Sequence, residues 1–217
     1  MMAEAAQAIA LAPLTADFLR EQFSATDKVV RIPATKEEFW SLIELPEFKI
    51  EYYENQIVGT MSYGSLSHER IINNLAWLFN NQLERSKYEC FGSNRPIYVE
   101  SCDAVFEPDF HVVEGEVKLF NYKKTKTASR NPSVIVEVFS DSTADFDLTV
   151  KLPCYKTIPS LQHIIFVEQH KPYISVFTKT KKPNEWLNAD YNDLNQRIRI
   201  LGKNISLQHL YDKVTFT

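Results

Sequence analysis

The chain has 217 residues, 44% hydrophobic and 24% charged, with a formal net charge of −4. That length suits one substantial domain, and the composition excludes extended disorder, a collagen-like or repeat-only chain and a supercharged nucleic-acid tail. The acidic balance means that any nucleic-acid contact must come from a local basic patch, not from the overall field.

No apolar run approaches the roughly 18 residues that cross a bilayer, so no membrane partner is expected. Residues 1–14 are alanine-rich with Glu4 as their only charge. A secretory leader wants a positive start, so a cytoplasmic location is expected. Cys90, Cys102 and Cys154 cannot all pair within one chain and lack metal-ligand spacing. A reduced setting is the simpler reading, with the cysteines as small packed residues.

In chain order, residues 1–34 read as an N-terminal extension ahead of a domain over 35–217. Within the extension, Ala16–Ser24 suits a short helix, and Val29, Val30 and Ile32 an edge strand before Pro33. Thr35-Lys36-Glu37-Glu38 is a capping box, followed by an apolar face of Phe39, Trp40, Leu42 and Ile43, with Pro46 as the stop. Residues 49–61 read as a hairpin about Glu54-Asn55-Gln56. Residues 67–85 carry the strongest helical stripe: Ile71, Leu75, Leu78, Phe79 and Leu83. Strands are expected at 88–91, 95–100 and 109–113, then a basic stretch over 118–130. Residues 133–139 are nearly all apolar, as a strand covered on both faces would be. Residues 147–156 suit a helix kinked at Pro153, and strands follow at 163–167, 173–177 and 198–201 before a short helix over 206–211. The order predicts a mixed α/β sheet protein, not a regular βαβ repeat.

One acid interrupts the apolar strand. Glu137 is expensive there unless something pairs with it, and Asp109 opens the expected strand before it, after Pro108. Two carboxylates on neighbouring strands, with a backbone carbonyl beside one of them, suit a hard divalent cation such as Mg²⁺. Asp147, Lys151 and Tyr155 stand at i, i+4 and i+8, roughly on one helix face. Lys151 would reach the same place and steady charge growing on a phosphoryl group.

These residues resemble a known family. Glu107-Pro108-Asp109-Phe110, the run from Val134 through Glu137 to Thr143, and Asp147 with Lys151 and Tyr155 are similar to the Uma-two restriction-endonuclease family of the PD-(D/E)XK nuclease superfamily. The similarity extends over roughly 35–214, through Glu51 before the Asn55 turn, His68 at the start of the long helix, and Leu210-Tyr211-Asp212-Lys213-Val214. It implies a restriction-endonuclease-like α+β core, a central mixed sheet flanked by helices, and Mg²⁺-dependent phosphodiester hydrolysis with Mn²⁺ as substitute. By position, Asp109 and Glu137 match the metal-binding acids, and the main chain of Val138 is an extra ligand. The superfamily's lysine normally stands two residues after the second acid, where this chain has Phe139. The family uses a helix lysine instead, which here is Lys151. Glu51 matches the family's hairpin acid; His68, Asp147 and Tyr155 complete the accessory candidates. The resemblance also implies a nucleic-acid partner, DNA rather than RNA, and a homodimer.

Plainer readings stand beside these. Asp109 would serve as a turn residue after Pro108, Glu137 and Lys151 as a structural ion pair with no metal, and Asp147–Lys151 as a solvated helix pair contributing about 0.2–0.5 kcal/mol. His68 would simply open its helix at the site entrance, and Ser140, Ser142 and Thr143 would cap the next one. Lys118, Lys123, Lys124, Lys126 and Arg130 suit either a solvated loop or a clamp on a phosphate backbone. Tyr52, Tyr53, Trp77 and Phe79 are expected in the core. Besides a nuclease, the chain is compatible with a catalytically inactive nuclease-like binding or regulatory module, and with a homo-oligomeric scaffold.

Overall fold

A computed structural model describes residues 14–26, 28–45, 48–60, 64–123, 126–140 and 142–216. The alanine-rich residues 1–13, the helix stop at Pro46, Lys124 of the basic run and Asp141 lie outside the described residues.

Thr15 opens α1 (Ala16–Ser24) by accepting from the Phe18 amide, and the helix buries Leu19 and Phe23. β1 (Val30–Pro33) follows at a sheet edge, where proline is tolerated. Both elements expected in the extension are present, and they join one apolar cluster with Phe39, Trp40 and Ile50. The capping box opens α2 (Lys36–Leu42): Thr35 Oγ1 accepts from the Glu38 amide at 3.2 Å, and Glu38 Oε2 accepts from the Thr35 amide at 2.8 Å. β2 (Lys49–Tyr53) and β3 (Gln56–Thr60) pair as a hairpin. Its turn has only two residues, because Glu54 and Asn55 both take left-handed φ of 50° and 57°. Gly59 of β3 lies under α1: a Cβ there would meet the Lys49 carbonyl at 2.8 Å and Phe23 at 3.0 Å.

Ser65 caps α3 (Leu66–Gln82), whose stripe of Ile71, Leu75, Leu78 and Phe79 is buried, with Leu83 just beyond its end. Trp77, expected in the core, is 61% exposed. It precedes Leu78 by one residue and so projects off the stripe. Next come β4 (Tyr88–Gly92), β5 (Ile97–Val99), a 3₁₀ turn over Glu100–Cys102, β6 (Ala104–Phe106) and β7 (Phe110–Glu114). The basic stretch is no loop: it pairs as β8 (Leu119–Lys123) and β9 (Lys126–Ser129). β10 (Pro132–Phe139) is followed by a broken helix made of α4 (Ala144–Phe146), a π-helical turn over Asp147–Lys151, and α5 (Leu152–Tyr155). The chain closes with β11 (His163–Glu168), β12 (Ile174–Lys179), β13 (Trp186–Tyr191), β14 (Arg197–Ile200), β15 (Lys203–Ser206) and α6 (Leu207–Leu210).

Among the described residues, the strands form a seven-stranded sheet in the order β1-β3-β2-β6-β5-β9-β8, a six-stranded sheet in the order β13-β12-β11-β10-β7-β4, and a β14–β15 ribbon. Both large sheets are mixed, through parallel pairing of β5 with β9 and of β10 with β11. The class is therefore α+β, with mixed sheets flanked by helices, as expected. Two sheets share the role that the expectation gave to one.

β10 explains its own composition. Val134, Val136 and Val138 pack with the α3 stripe on one face. Ile135 points the other way, into a cluster with Ile97 and Phe106 of the first sheet and Tyr155 of α5. Covered on both faces, the strand has no reason to alternate.

The cysteines require a correction. Cys102 and Cys154 form a disulfide, and Cys90 is free. The odd count excludes three paired cysteines, not two. The 3₁₀ turn and α5 meet over the same apolar cluster, with the two Cα atoms 6.0 Å apart. No described helix is long and apolar enough to cross a membrane.

Candidate active site

Register brings the two acids together. β7 and β10 run antiparallel with Phe110 opposite Val136, so Asp109 stands opposite Glu137 one step beyond the last pair. Directly opposed residues share a face, here the one turned toward the first sheet. Asp109 also replaces the ladder bond missing at that step, its Oδ2 accepting from the Val138 amide at 2.8 Å. It is 3% exposed, which is not the environment of a turn residue. Its Oδ1 lies 2.7 Å from Lys49 Nζ and its Oδ2 lies 3.4 Å from His68 Nε2. Burial alone would raise the Asp109 pKa, but Lys49 and His68 hold it well below the usual carboxylate range.

The broken helix supplies the second half of the site. Pro153 has no amide proton to donate, and the turn before it widens so that the Leu152 amide reaches the Asp147 carbonyl, five residues back. In so wide a turn, residues four apart nearly eclipse. Asp147 Oδ1 accordingly lies 2.9 Å from Lys151 Nζ, which also lies 2.8 Å from Glu51 Oε1 and 3.2 Å from Glu137 Oε1. Four sequence-predicted residues therefore meet at one buried ammonium. Burial disfavours that charge, and Asp147, Glu137 and Glu51 together overcome the penalty, holding the Lys151 pKa well above the usual value. The solvated helix pair considered for Asp147 and Lys151 is excluded, since their side chains are only 2% and 3% exposed.

Tyr155, one turn on, donates to Glu137 Oε1 at 2.5 Å. Both bonds to the Glu137 carboxylate fall on Oε1, and its Oε2 accepts none from the described residues. Burial pushes the Glu137 carboxyl up to about 8, Lys151 pulling against it and Asp147 and Asp109 adding to it. Asp147 Oδ1, although close to Lys151, is a buried oxygen that receives no hydrogen bond.

All of these groups except Tyr155 line a cavity of about 690 Å³. Its carboxylates are Glu51, Glu69, Glu107, Asp109, Glu137 and Asp147, against the three ammonium groups of Lys28, Lys49 and Lys151. His68, three residues after the Ser65 cap, stands in its wall. Burial opposes protonation of His68, yet its contact with Asp109 raises its pKa. Ser140, Ser142 and Thr143 face the same space. Ser140 Oγ accepts from the Thr143 amide at 3.3 Å, but the cap expected from these residues is not formed: Thr143 precedes α4 with no side-chain hydrogen bond to the helix.

The family model described as "putative restriction endonuclease", Uma2, matches residues 36–208. The chain belongs to the Uma2 family. Relatives similar in sequence include two uncharacterized proteins of Synechocystis sp.. One, sll1609, is 27% identical over 190 residues, covering 88% of this chain and 98% of its own. The other, slr1290, is 26% identical and covers 83% and 92%. Among solved structures, a "putative nuclease belonging to DUF820" from Anabaena variabilis superposes with a TM-score of 0.62 at 16% identity, covering 84% of this chain and all of its own. That likeness is one of fold.

In this Uma2 chain no set of three or more His, Cys, Asp or Glu side chains among the described residues is arranged around a common metal position. The donor set nevertheless fits a hard cation that needs only one or two protein carboxylates. Glu137 Oε2 lacks a hydrogen-bond donor among the described residues, and the carboxylates outnumber the ammonium groups. Phe139, in the superfamily's lysine position, is stacked on Phe166 with ring centroids 5.0 Å apart.

Two participants escaped the sequence reading. Lys49 stands two residues before Glu51, and Glu107 two before Asp109; each pair therefore shares a direction in extended chain. That spacing was the available signal. Glu107 also donates its amide to Glu51 Oε1 at 2.8 Å, and burial pushes its carboxyl up to about 8.

Proposed function

We propose that this Uma2 protein is a metal-dependent endonuclease that hydrolyses phosphodiester bonds of DNA. The carrying observation is the opposition of Asp109 and Glu137 across β7 and β10 at the wall of a polar cavity rich in carboxylates. Asp109, Glu137 and the main chain of Val138 would hold Mg²⁺ or Mn²⁺. Such an ion supplies charge neutralisation at the phosphoryl group under attack.

The chain's own groups have separate tasks. Tyr155 orients Glu137 through Oε1, leaving Oε2 toward the ion. Glu51 and Asp147 keep Lys151 charged and in place, and Lys151 in turn opposes the burial that favours the protonated form of Glu137. Lys49 and His68, at the less buried side of Asp109, are placed to meet the anionic substrate and to hold or pass a proton at the cavity wall. A cytoplasmic homodimer would present two such clefts to a duplex.

The test is cleavage of plasmid, linear and single-stranded DNA, and of RNA, with Mg²⁺ or Mn²⁺. Asp109→Ala and Glu137→Ala should each lower the rate by at least about 10²-fold while circular dichroism stays unchanged. Phe139 in the lysine position and the threefold pairing of Lys151 favour one competing reading, a module that binds without cutting. Salt-sensitive binding with no cleavage of any substrate would decide for it.

A further inference from the structure

A second cavity, of about 420 Å³, adjoins the first and shares Phe48, Asn94 and Glu107 with it. Arg95 and Lys126 stand in its wall. Arg95 is held by neutral acceptors only: Nε donates to Ser129 Oγ at 3.2 Å, and Nη1 to Thr127 Oγ1 at 2.8 Å and to the Thr127 carbonyl at 3.3 Å. Among the described residues, no carboxylate forms an ion pair with it, and its Nη2 has no partner. A partly buried cation with no ion pair is costly: burial lowers the Arg95 pKa, and the exposed Glu89 offsets that only in part.

The nearby titratable ring cannot repay that cost. His111 is fully buried, stacked on Phe91 with ring centroids 5.0 Å apart, and neither ring nitrogen has a partner. Lys126, from the basic run noted in the sequence, donates to the Trp40 carbonyl, and its one ion pair among the described residues is with an exposed acid: Glu44 lies 3.4 Å away with its side chain 64% exposed. Such a pairing is weak and readily exchanged for a stronger anion. Two carboxylates, Glu44 and Glu107, share this lining, but Glu44 is largely exposed and burial pushes the Glu107 carboxyl up to about 8. The guanidinium, the ammonium and the Asn94 amide are therefore the groups suited to a phosphate.

We propose that this second cavity is a subsite for a phosphodiester group flanking the one cut in the main cavity, with Arg95 and Lys126 as its cations and Asn94 at the junction. The subsite rests on the nuclease reading for its substrate, a nucleic-acid strand. It assigns the strand a path from the carboxylate centre past Glu107 and Asn94 to β9.

The experiment measures binding of a fluorescein-labelled single-stranded DNA oligonucleotide to the full chain by anisotropy, without divalent ions and across a salt series. Arg95→Gln and Lys126→Gln are compared with the unchanged protein. Each substitution should weaken binding roughly tenfold or more. Each should also make the slope of log affinity against log salt shallower by about 0.7, the signature of one lost phosphate contact on a single strand. A purely structural role for Arg95 would not move that slope. If Arg95→Gln fails to fold, Lys126→Gln alone carries the measurement. Affinity and slope unchanged in the folded variants would overturn the subsite while leaving cleavage by the unchanged protein intact. If the unchanged protein neither binds nor cuts nucleic acid, the nuclease reading falls and the subsite with it. Equal protection against thermal unfolding by inorganic phosphate and by the oligonucleotide, lost in Arg95→Gln, would reassign the cavity to free phosphate and also overturn the proposal.

Discussion

At the scale of single residues, the two lysines of the main cavity differ in what their removal leaves behind. Lys151 is 3% exposed and pairs with three carboxylates, whereas Lys49 is 28% exposed and, among the described residues, forms its one ion pair with Asp109. Asp109 would keep the Val138 amide and His68 if Lys49 were lost. Breaking a buried ion cluster by deleting its only cation costs about 3–5 kcal/mol, because uncompensated charges stay behind. Lys151→Met should therefore lower unfolding free energy by that amount in urea titrations at neutral pH, and Lys49→Met by about 1 kcal/mol or less. Equal effects would show that Lys151 is not the electrostatic hub. Residue identity made part of this legible: an acid inside 133–139 demanded a partner, and Lys151 at helical spacing from Asp147 was the candidate. Lys49 was not recognised, because nothing in a single strand says which of its faces meets another strand's acid.

At the scale of elements, the segment carrying Lys151 is short and irregular: three residues of α4, a π-helical turn, and four residues of α5. So short a helix has little stability of its own and depends on tertiary anchoring. The Cys102–Cys154 disulfide provides such an anchor, tying α5 to the 3₁₀ turn across 52 residues of sequence. Closing a loop of that length removes unfolded-state entropy worth about 4 kcal/mol in the chain-entropy model. Cys102→Ala with Cys154→Ala should lower stability by about 2–4 kcal/mol, and dithiothreitol should reproduce the loss in the unchanged chain but not in the double variant. No difference between the oxidised and reduced chain would mean that the two sulfurs merely pack. The strongly patterned elements, α2 with its capping box and α3 with its stripe, were plain from sequence. β6, β13 and the β8–β9 hairpin were not, since short or polar strands depend on the neighbours that pair with them.

At the scale of the whole molecule, the first sheet and α1 form one packed unit. Leu19 and Phe23 are 0% and 1% exposed, Phe23 closes over Gly59, and β1 covers the edge of β3 that would otherwise be open. We propose that the folding unit reaches back to at least Ala16, beyond the boundary expected at residue 35. Fully burying each large apolar side chain contributes about 1.5–3 kcal/mol, so a chain beginning at Thr35 should lose about 5 kcal/mol or more. That is comparable to the whole stability of a typical domain. Its circular dichroism and thermal transition should show partial or complete unfolding beside the full chain; an unchanged transition would restore the boundary at residue 35.

What the sequence determined by itself was local or compositional. It contained the helix starts, the hairpin about Glu54-Asn55-Gln56, the doubly covered strand, the family resemblance and, in Glu137, an acid whose burial required explanation. Tertiary structure alone decided which groups meet. The β7–β10 register set Asp109 against Glu137, and packing brought Glu51, Lys49 and the Asp147–Lys151 pair to the same cavity. The division follows from range: capping and periodicity act over a few residues, whereas register, cavity walls and the pairing of Cys102 with Cys154 arise only when segments far apart in sequence compete to bury the same surface.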